Sequence, residues 1–210
     1  MPPEPFRVLV TGGRGRLGRR LVTQLEDRGH KTIAPGRRDV DWAIENEANR
    51  FVNKHNPSRI VACASFTNVA KAETERDICY KDTVLTARST AKAASRYGAK
   101  MLYISTDYVV PLLRGEKGGF YATCKRRAEE EVLRRGGSVV RVAFVTPEQV
   151  ADWGWVNAYS VANRWWVEQA AEVLSRYASA ATWPEIGSIG PLQATTCEEL
   201  LRGRFPDHVA

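Results

Sequence analysis

Residues 8–18 read Val8-Leu9-Val10-Thr11-Gly12-Gly13-Arg14-Gly15-Arg16-Leu17-Gly18. The apolar run Arg7 to Val10 has the length of a short buried strand, and a glycine-rich turn follows it directly. From Leu17 to Arg28 apolar residues return at helical spacing, at Leu17, Leu21, Val22 and Leu25. Strand, glycine turn, helix is the setting in which Gly12, Gly15 and Gly18, spaced GxxGxxG, acquire a chemical meaning. One glycine permits the tight turn, one lets the backbone approach a pyrophosphate, and one lets the helix pack close to the sheet. The free N–H groups and positive potential of the helix start then favour an anion. The loop therefore predicts a dinucleotide site contacted by Gly12, Gly13, Arg14, Gly15, Arg16, Leu17 and Gly18.

Outward from the loop the same alternation continues. Strands are expected at Lys31–Ala34, Arg59–Ala64, Lys100–Ser105 and Ser138–Val145. Helices are expected at Ala43–His55, Ala72–Tyr97 and Tyr121–Arg135. Short apolar strands alternating with helices mean a parallel sheet covered on both faces, an α/β doubly wound fold of Rossmann type. We place this domain at residues 1–147 and a small, shortened C-terminal region, for substrate or interface, at 148–210. That region holds Trp153, Trp155, Trp165, Trp166 and Trp183. Its expected elements are a helix over Ser160–Tyr177, a strand over Ile186–Leu192 and a helix over Thr195–Arg202 opened by a capping box.

Composition narrows the class. The 210 residues are 43% hydrophobic and 26% charged, a globular mix with enough chain for a core without disulfides or metals. No apolar run approaches the roughly 18–20 residues of a membrane span, and the start of the chain lacks a signal-peptide pattern. Cys63, Cys79, Cys124 and Cys197 form no CxxC pair, and His30, His55 and His208 are scattered, so no metal site is expected and a reducing, cytoplasmic setting is. Lys and Arg number 31 against 24 Asp and Glu, a formal charge of +7 that suggests a phosphate-bearing partner.

The end of the second strand identifies which one. An acidic residue there usually holds a free ribose 2′-hydroxyl. Here Ala34-Pro35-Gly36-Arg37-Arg38 offers two arginines, which suit a 2′-phosphate. NADP(H) is favoured, with NAD(H) the alternative if Asp39 or Asp41 holds the ribose. With the basic residues clustered there and no DNA- or RNA-binding module, nucleic acid is not expected as a partner.

The fourth strand ends in Ser105-Thr106-Asp107-Tyr108, and Tyr121-Ala122-Thr123-Cys124-Lys125 gives YxxxK at the start of a helix. Tyr and Lys at i and i+4 share a helical face. A nearby ammonium favours the phenolate, and such a tyrosine can pass a proton to a carbonyl oxygen. A strand-end hydroxyl, Thr106, can hold the same oxygen. Arg126-Arg127 and Arg134-Arg135, flanking Glu129-Glu130-Glu131, read as a solvated, ion-paired face.

These stretches together resemble the extended or atypical branch of the short-chain dehydrogenase/reductase superfamily, most of all its dTDP-4-dehydrorhamnose reductase group. Phe66-Thr-Asn-Val-Ala-Lys-Ala-Glu73 and Tyr103-Ile-Ser-Thr-Asp-Tyr-Val109 add to the match. The resemblance implies Thr106, Tyr121 and Lys125 as the catalytic trio, with Lys125 also holding the nicotinamide ribose. It implies Asp41 and Trp42 near the adenine, and Ala62, Cys63, Ala64 and Thr67 beside the ribose and nicotinamide. The implied substrate is a nucleotide-linked keto sugar, and a homodimer through the two long helices follows by analogy. The chain departs from the group at Ala70, where it has an aspartate, at Thr83, where it has an asparagine, and in the shortness of the tail. Those departures carry the alternative, a cofactor-binding regulatory or scaffold subunit with an eroded substrate pocket.

Overall fold

The computed structural model describes residues 5–145, 161–162, 165–189 and 195–196. A six-stranded, all-parallel sheet forms its centre, in the order β2 (Lys31–Ile33), β1 (Arg7–Thr11), β3 (Arg59–Ala62), β4 (Lys100–Ser105), β5 (Ser138–Val142), β9 (Ile186–Ile189). The chain leaves β1 in one direction for β2 and returns on its other side for β3. The strand order therefore reverses between β1 and β3, where open α/β sheets form a crevice at the strand C-termini.

Strand periodicity builds both cores. Val8, Val10, Val61, Leu102, Ile104, Val140 and Val142 point to one face, where they meet α1 (Arg16–Asp27) and α7 (Val167–Ser179). Leu9, Ile60, Ala62, Met101, Tyr103 and Val139 point to the other, under α2 (Glu45–His55), α4 (Thr86–Arg96) and α6 (Phe120–Leu133). Two sides of buried aliphatic surface explain why these strands read as unbroken apolar runs.

Several elements differ from the expectations. The helix expected over Ala72–Tyr97 is broken into a 3₁₀ turn at Lys71–Glu73, then α3 (Arg76–Tyr80), then a π turn at Lys81–Leu85 leading into α4. The Thr86 hydroxyl donates to the Lys81 carbonyl five residues back, which supports the wider turn. The strand expected over Ser138–Val145 divides at Ala143. Beyond it β6 (Phe144–Val145) leaves the main sheet to pair with β8 (Trp165–Trp166). The helix expected from Ser160 begins at Val167. A short strand, β7 (Val161–Ala162), pairs with β10 (Thr195–Thr196) where a helix was expected to start. Elements from beyond residue 147 are built into the main domain, since β9 lies in register with β5 and α7 packs along α1. Trp153, Trp155 and the helix expected past Thr196 lie outside the described residues. Among the described residues no helix is long and apolar enough to cross a membrane.

The lower edge of the sheet, opposite the crevice, is tied down by cations. Arg59 caps the end of α7, donating to the Ala180 carbonyl at 2.7 Å and to the Ala178 carbonyl. Its guanidinium lies 3.5 Å over the Phe6 ring and 5.2 Å from that of Trp183. Beside it, His30 Nδ1 accepts the Phe6 N–H (3.2 Å) while Nε2 lies 2.8 Å from the Ser179 hydroxyl. Because the Phe6 amide can only donate, Nδ1 must be unprotonated. Burial first, then the charges of Arg59 and Arg28, hold the His30 pKa below its ordinary value. The depressed pKa means a stabilising contribution that is complete above about pH 6.5 and lost as pH falls through the lower folded value. Thermal unfolding midpoints should therefore drop on acidification below about pH 6.5. His30→Gln should remove that part of the slope, and an unchanged slope would clear His30 of the role.

Candidate active site

The crevice at the C-terminal ends of β1, β3 and β4 is a cleft of about 840 Å³. The glycine loop forms one wall. Gly12 takes φ +66°, and a Cβ there would lie 2.8 Å from the Ala64 amide, so the loop lies directly against the chain leaving β3. At Gly18 a Cβ would meet the Gly12 carbonyl oxygen at 2.2 Å. The first turn of α1 thus sits flat on the loop, with Gly15 as N-cap, no side-chain cap and no acidic residue in that turn. What remains is a backbone cradle at a helix start, of a size and polarity that suit a pyrophosphate.

Gly12, Arg14, Gly15, Arg16, Leu17 and Gly18 all line the cleft, as do Arg37, Asp41, Trp42, Cys63, Ala64 and Thr67. Three of the expected contacts do not. Gly13 is buried, with Ala34 Cβ where its own Cβ would stand. Ala62 faces the α2–α4–α6 core, because strand alternation turns it away. Arg38 is exposed and off the cleft wall. Arg19, Ser65, Phe66, Lys81 and Tyr108 line the cleft without having been expected there. Arg19 was legible, one turn after Arg16, whereas Lys81 is brought in by the π turn.

At the β2 end the charges are arranged in pairs. Arg14 lies over Gly36, where any Cβ would stand 2.7 Å from its Nη1, and bonds Asp39 at 3.3 Å. The Asp39 carboxylate also accepts the Gly36 N–H at 2.7 Å. Arg37 is 90% exposed and 3.8 Å from Asp82. Asp41 is bonded to Lys81 at 2.8 Å, which holds its pKa below the usual carboxylate value.

The other wall carries the reactive side chains. Tyr121, on the first turn of α6, is buried against Cys79 and Cys124 and makes an edge contact with the Tyr108 ring, 5.9 Å between centroids. Glu73 accepts the Phe120 N–H at 2.6 Å and so caps α6 one residue before Tyr121. Lys125 is 3% exposed and donates to the Ile104 carbonyl at 2.9 Å, its Nζ 4.4 Å from the Tyr103 ring centre. Burial pushes its pKa down to about 8, against the pull of Glu129. Burial also raises the Tyr121 pKa, with Tyr108, Cys79 and Asp107 acting in the same direction. This is opposite to the lowering expected from Lys125, and it keeps the phenol protonated. The Thr106 hydroxyl caps the turn after β4, donating to Asp107 (3.1 Å) and accepting the Tyr108 N–H (3.3 Å). Cys124 packs as a small buried filler, its pKa pushed up to about 12 by burial.

A loop of a shape that suits a diphosphate, facing a buried Lys and a protonated Tyr across one cleft, suits proton delivery to a group held between them. A family model described as the RmlD substrate binding domain matches residues 6–153. The dTDP-4-dehydrorhamnose reductase of Streptomyces griseus is 35% identical over 158 residues, 68% of this chain and 51% of that protein. The spore coat polysaccharide biosynthesis protein SpsK of Bacillus subtilis is 36% identical over 103 residues, 49% and 36% of the two chains. The chain thus spans about half the length, or less, of the curated relatives it matches. A crystal structure of the Bacillus anthracis dTDP-4-dehydrorhamnose reductase in complex with NADP superposes with a TM-score of 0.82 at 20% identity, covering 97% of this chain and 82% of that one. A Thermus thermophilus UDP-glucose 4-epimerase in complex with NAD does so at 0.75 and 19% identity, covering 93% and 81%. At such identities these two likenesses establish the fold.

Proposed function

The chain belongs to the RmlD substrate binding domain family, and from that premise we propose that it binds NADP(H) in this cleft and reduces a keto group of a nucleotide-linked sugar. The observation that carries the reading is the glycine cradle facing Tyr121 and Lys125 across one cleft. Backbone N–H groups of the Gly12–Gly15 turn and the start of α1 would take the pyrophosphate. Lys125, fixed through the Ile104 carbonyl, would use its remaining donors on the nicotinamide ribose. The reduced nicotinamide, when bound, supplies hydride to the keto carbon. Tyr121, held protonated by its surroundings, gives its proton to the keto oxygen. Thr106 can bond that oxygen only by turning its hydroxyl proton away from Asp107.

The choice of NADP(H) over NAD(H) rests on this chain's own charges. The two acidic candidates for a free ribose hydroxyl are both engaged, Asp39 by Gly36 N–H and Arg14, Asp41 by Lys81. Arg14 and Arg37 are exposed cations that line the cleft beside them and suit a 2′-phosphate. Arg14→Ala should weaken NADPH binding about tenfold or more in a fluorescence titration while changing NADH binding little. A wild-type preference for NADH would refute the 2′-phosphate site. Screening nucleotide-linked keto sugars for NADPH oxidation tests the substrate class. Tight NADPH binding with no turnover on any of them would favour the regulatory-subunit reading. The same reading carries a cytoplasmic setting, no nucleic-acid partner, and a homodimer through α4 and α6 that sedimentation would detect.

A further inference from the structure

Directly behind the cleft lies a buried carboxylate that the reaction as read does not use. Glu129 is 3% exposed and sits one helical turn after Lys125 on α6. Arg141 on β5 meets it with two donors, Nε at 3.0 Å and Nη2 at 2.6 Å, and the Ser105 hydroxyl at the end of β4 donates to the same group. Three donors, two of them on a guanidinium, thus converge on one buried carboxylate. Glu129 was expected on a solvated face with its two neighbours. Only Glu130 keeps that character, paired with Arg126 on the exposed side, while Glu131 binds Arg88, Arg134 and Arg135.

The elements Glu129 joins are the ones that carry the site. Ser105 lies between Ile104, whose carbonyl accepts the hydrogen bond from Lys125, and Thr106. The groups facing Lys125 are Tyr121 and Glu129 on α6, Cys79 on α3, Cys63 after β3 and the Tyr103 ring on β4, with Arg141 on β5 behind Glu129. Burial raises both thiols and both phenols, which leaves Glu129 as the carboxylate of this set. Among the described residues Lys125 forms no salt bridge, and a buried ammonium bonded to a neutral carbonyl needs a nearby countercharge to stay protonated.

We propose that Glu129 is a positioning residue that keeps Lys125 in its ammonium form from one helical turn away, clamped for that purpose by Arg141 and Ser105. The proposal rests on the reading of Lys125 as the group that holds the nicotinamide ribose.

The test is NADPH affinity followed by fluorescence across pH, together with an NMR titration of the Lys125 side chain. Wild-type affinity should weaken as pH rises through about 8. Glu129→Gln keeps the shape and removes the charge, and should move that break down by about one pH unit. Glu129→Asp keeps the charge and spoils the shape, and should leave the break close to wild type even if the protein is less stable. A merely structural role predicts the reverse ranking. The double variant Glu129→Gln with Arg141→Met exchanges the buried ion pair for neutral groups, a change that cores tolerate, and should also break at lower pH than wild type. An unchanged break in Glu129→Gln, or in the double variant where the single one does not fold, overturns the proposal. A wild-type protein that binds no NADPH overturns the cofactor reading, and the proposal with it.

Discussion

Tyr121→Phe is expected to lower turnover of a keto sugar by about 10²–10⁴-fold, the range typical of losing one positioned acid. The change deletes one oxygen from a ring that packs against Cys79, Cys124 and Tyr108, and the ring itself stays in place. NADPH affinity should therefore remain close to wild type. Such a split, lost turnover with kept binding, is the mark of an interaction made only in the transition state. Because burial holds the Tyr121 pKa above its ordinary value, the acid form is present throughout the neutral range. Normal turnover in the variant, with an identified substrate, would remove Tyr121 from the chemistry.

The second large effect lies at the opposite end of the sheet. Arg59→Met should cost about 3 kcal/mol of stability, since two helix-end carbonyls would be left without a donor at about 1–3 kcal/mol each. Methionine fills much of the same volume but donates nothing. The Ala178 and Ala180 carbonyls at the end of α7 would lose their cation, and a positive charge at a helix C-terminus is favourable in itself. The stacking on Phe6 would go as well. Denaturant unfolding should show a lower midpoint at an unchanged slope. A loss under about 1 kcal/mol would mean that water replaces the guanidinium.

Both residues show how far the chain could be read without coordinates. The place of Tyr121 on the cleft wall with Lys125 was legible because residues at i and i+4 share a helical face, and the glycine loop before Leu17 gave that spacing a context. Arg59 was not, because its partners are backbone carbonyls far along the chain, and carbonyls carry no side-chain signature. Ala62 was assigned to the cleft by the family resemblance. Alternation along β3 sends it to the core while Cys63 and Ala64 reach the site. Trp165 and Trp166 satisfy helix and strand patterns equally, so a stretch read as helix begins as β8. The π turn between α3 and α4 is accompanied by a hydroxyl bond from Thr86 to Lys81, which no periodicity reveals. Glu129 was misread because three consecutive glutamates look alike in sequence, and only the helix's rotation separates the buried one from its exposed neighbour.

The packing of α7 along α1 also bears on how the protein is made. Arg20 and Glu168, which join the two helices, are 148 residues apart. At about 5–20 residues per second, a ribosome needs roughly 7–30 s to add the second partner after the first. Throughout that interval the face of the nascent sheet bearing Val8, Val10 and Val61 has no cover from α7. The glycine loop and α1 are thus synthesised well before the helix that packs along them. Exposure to chaperones and to aggregation should therefore persist until α7 emerges.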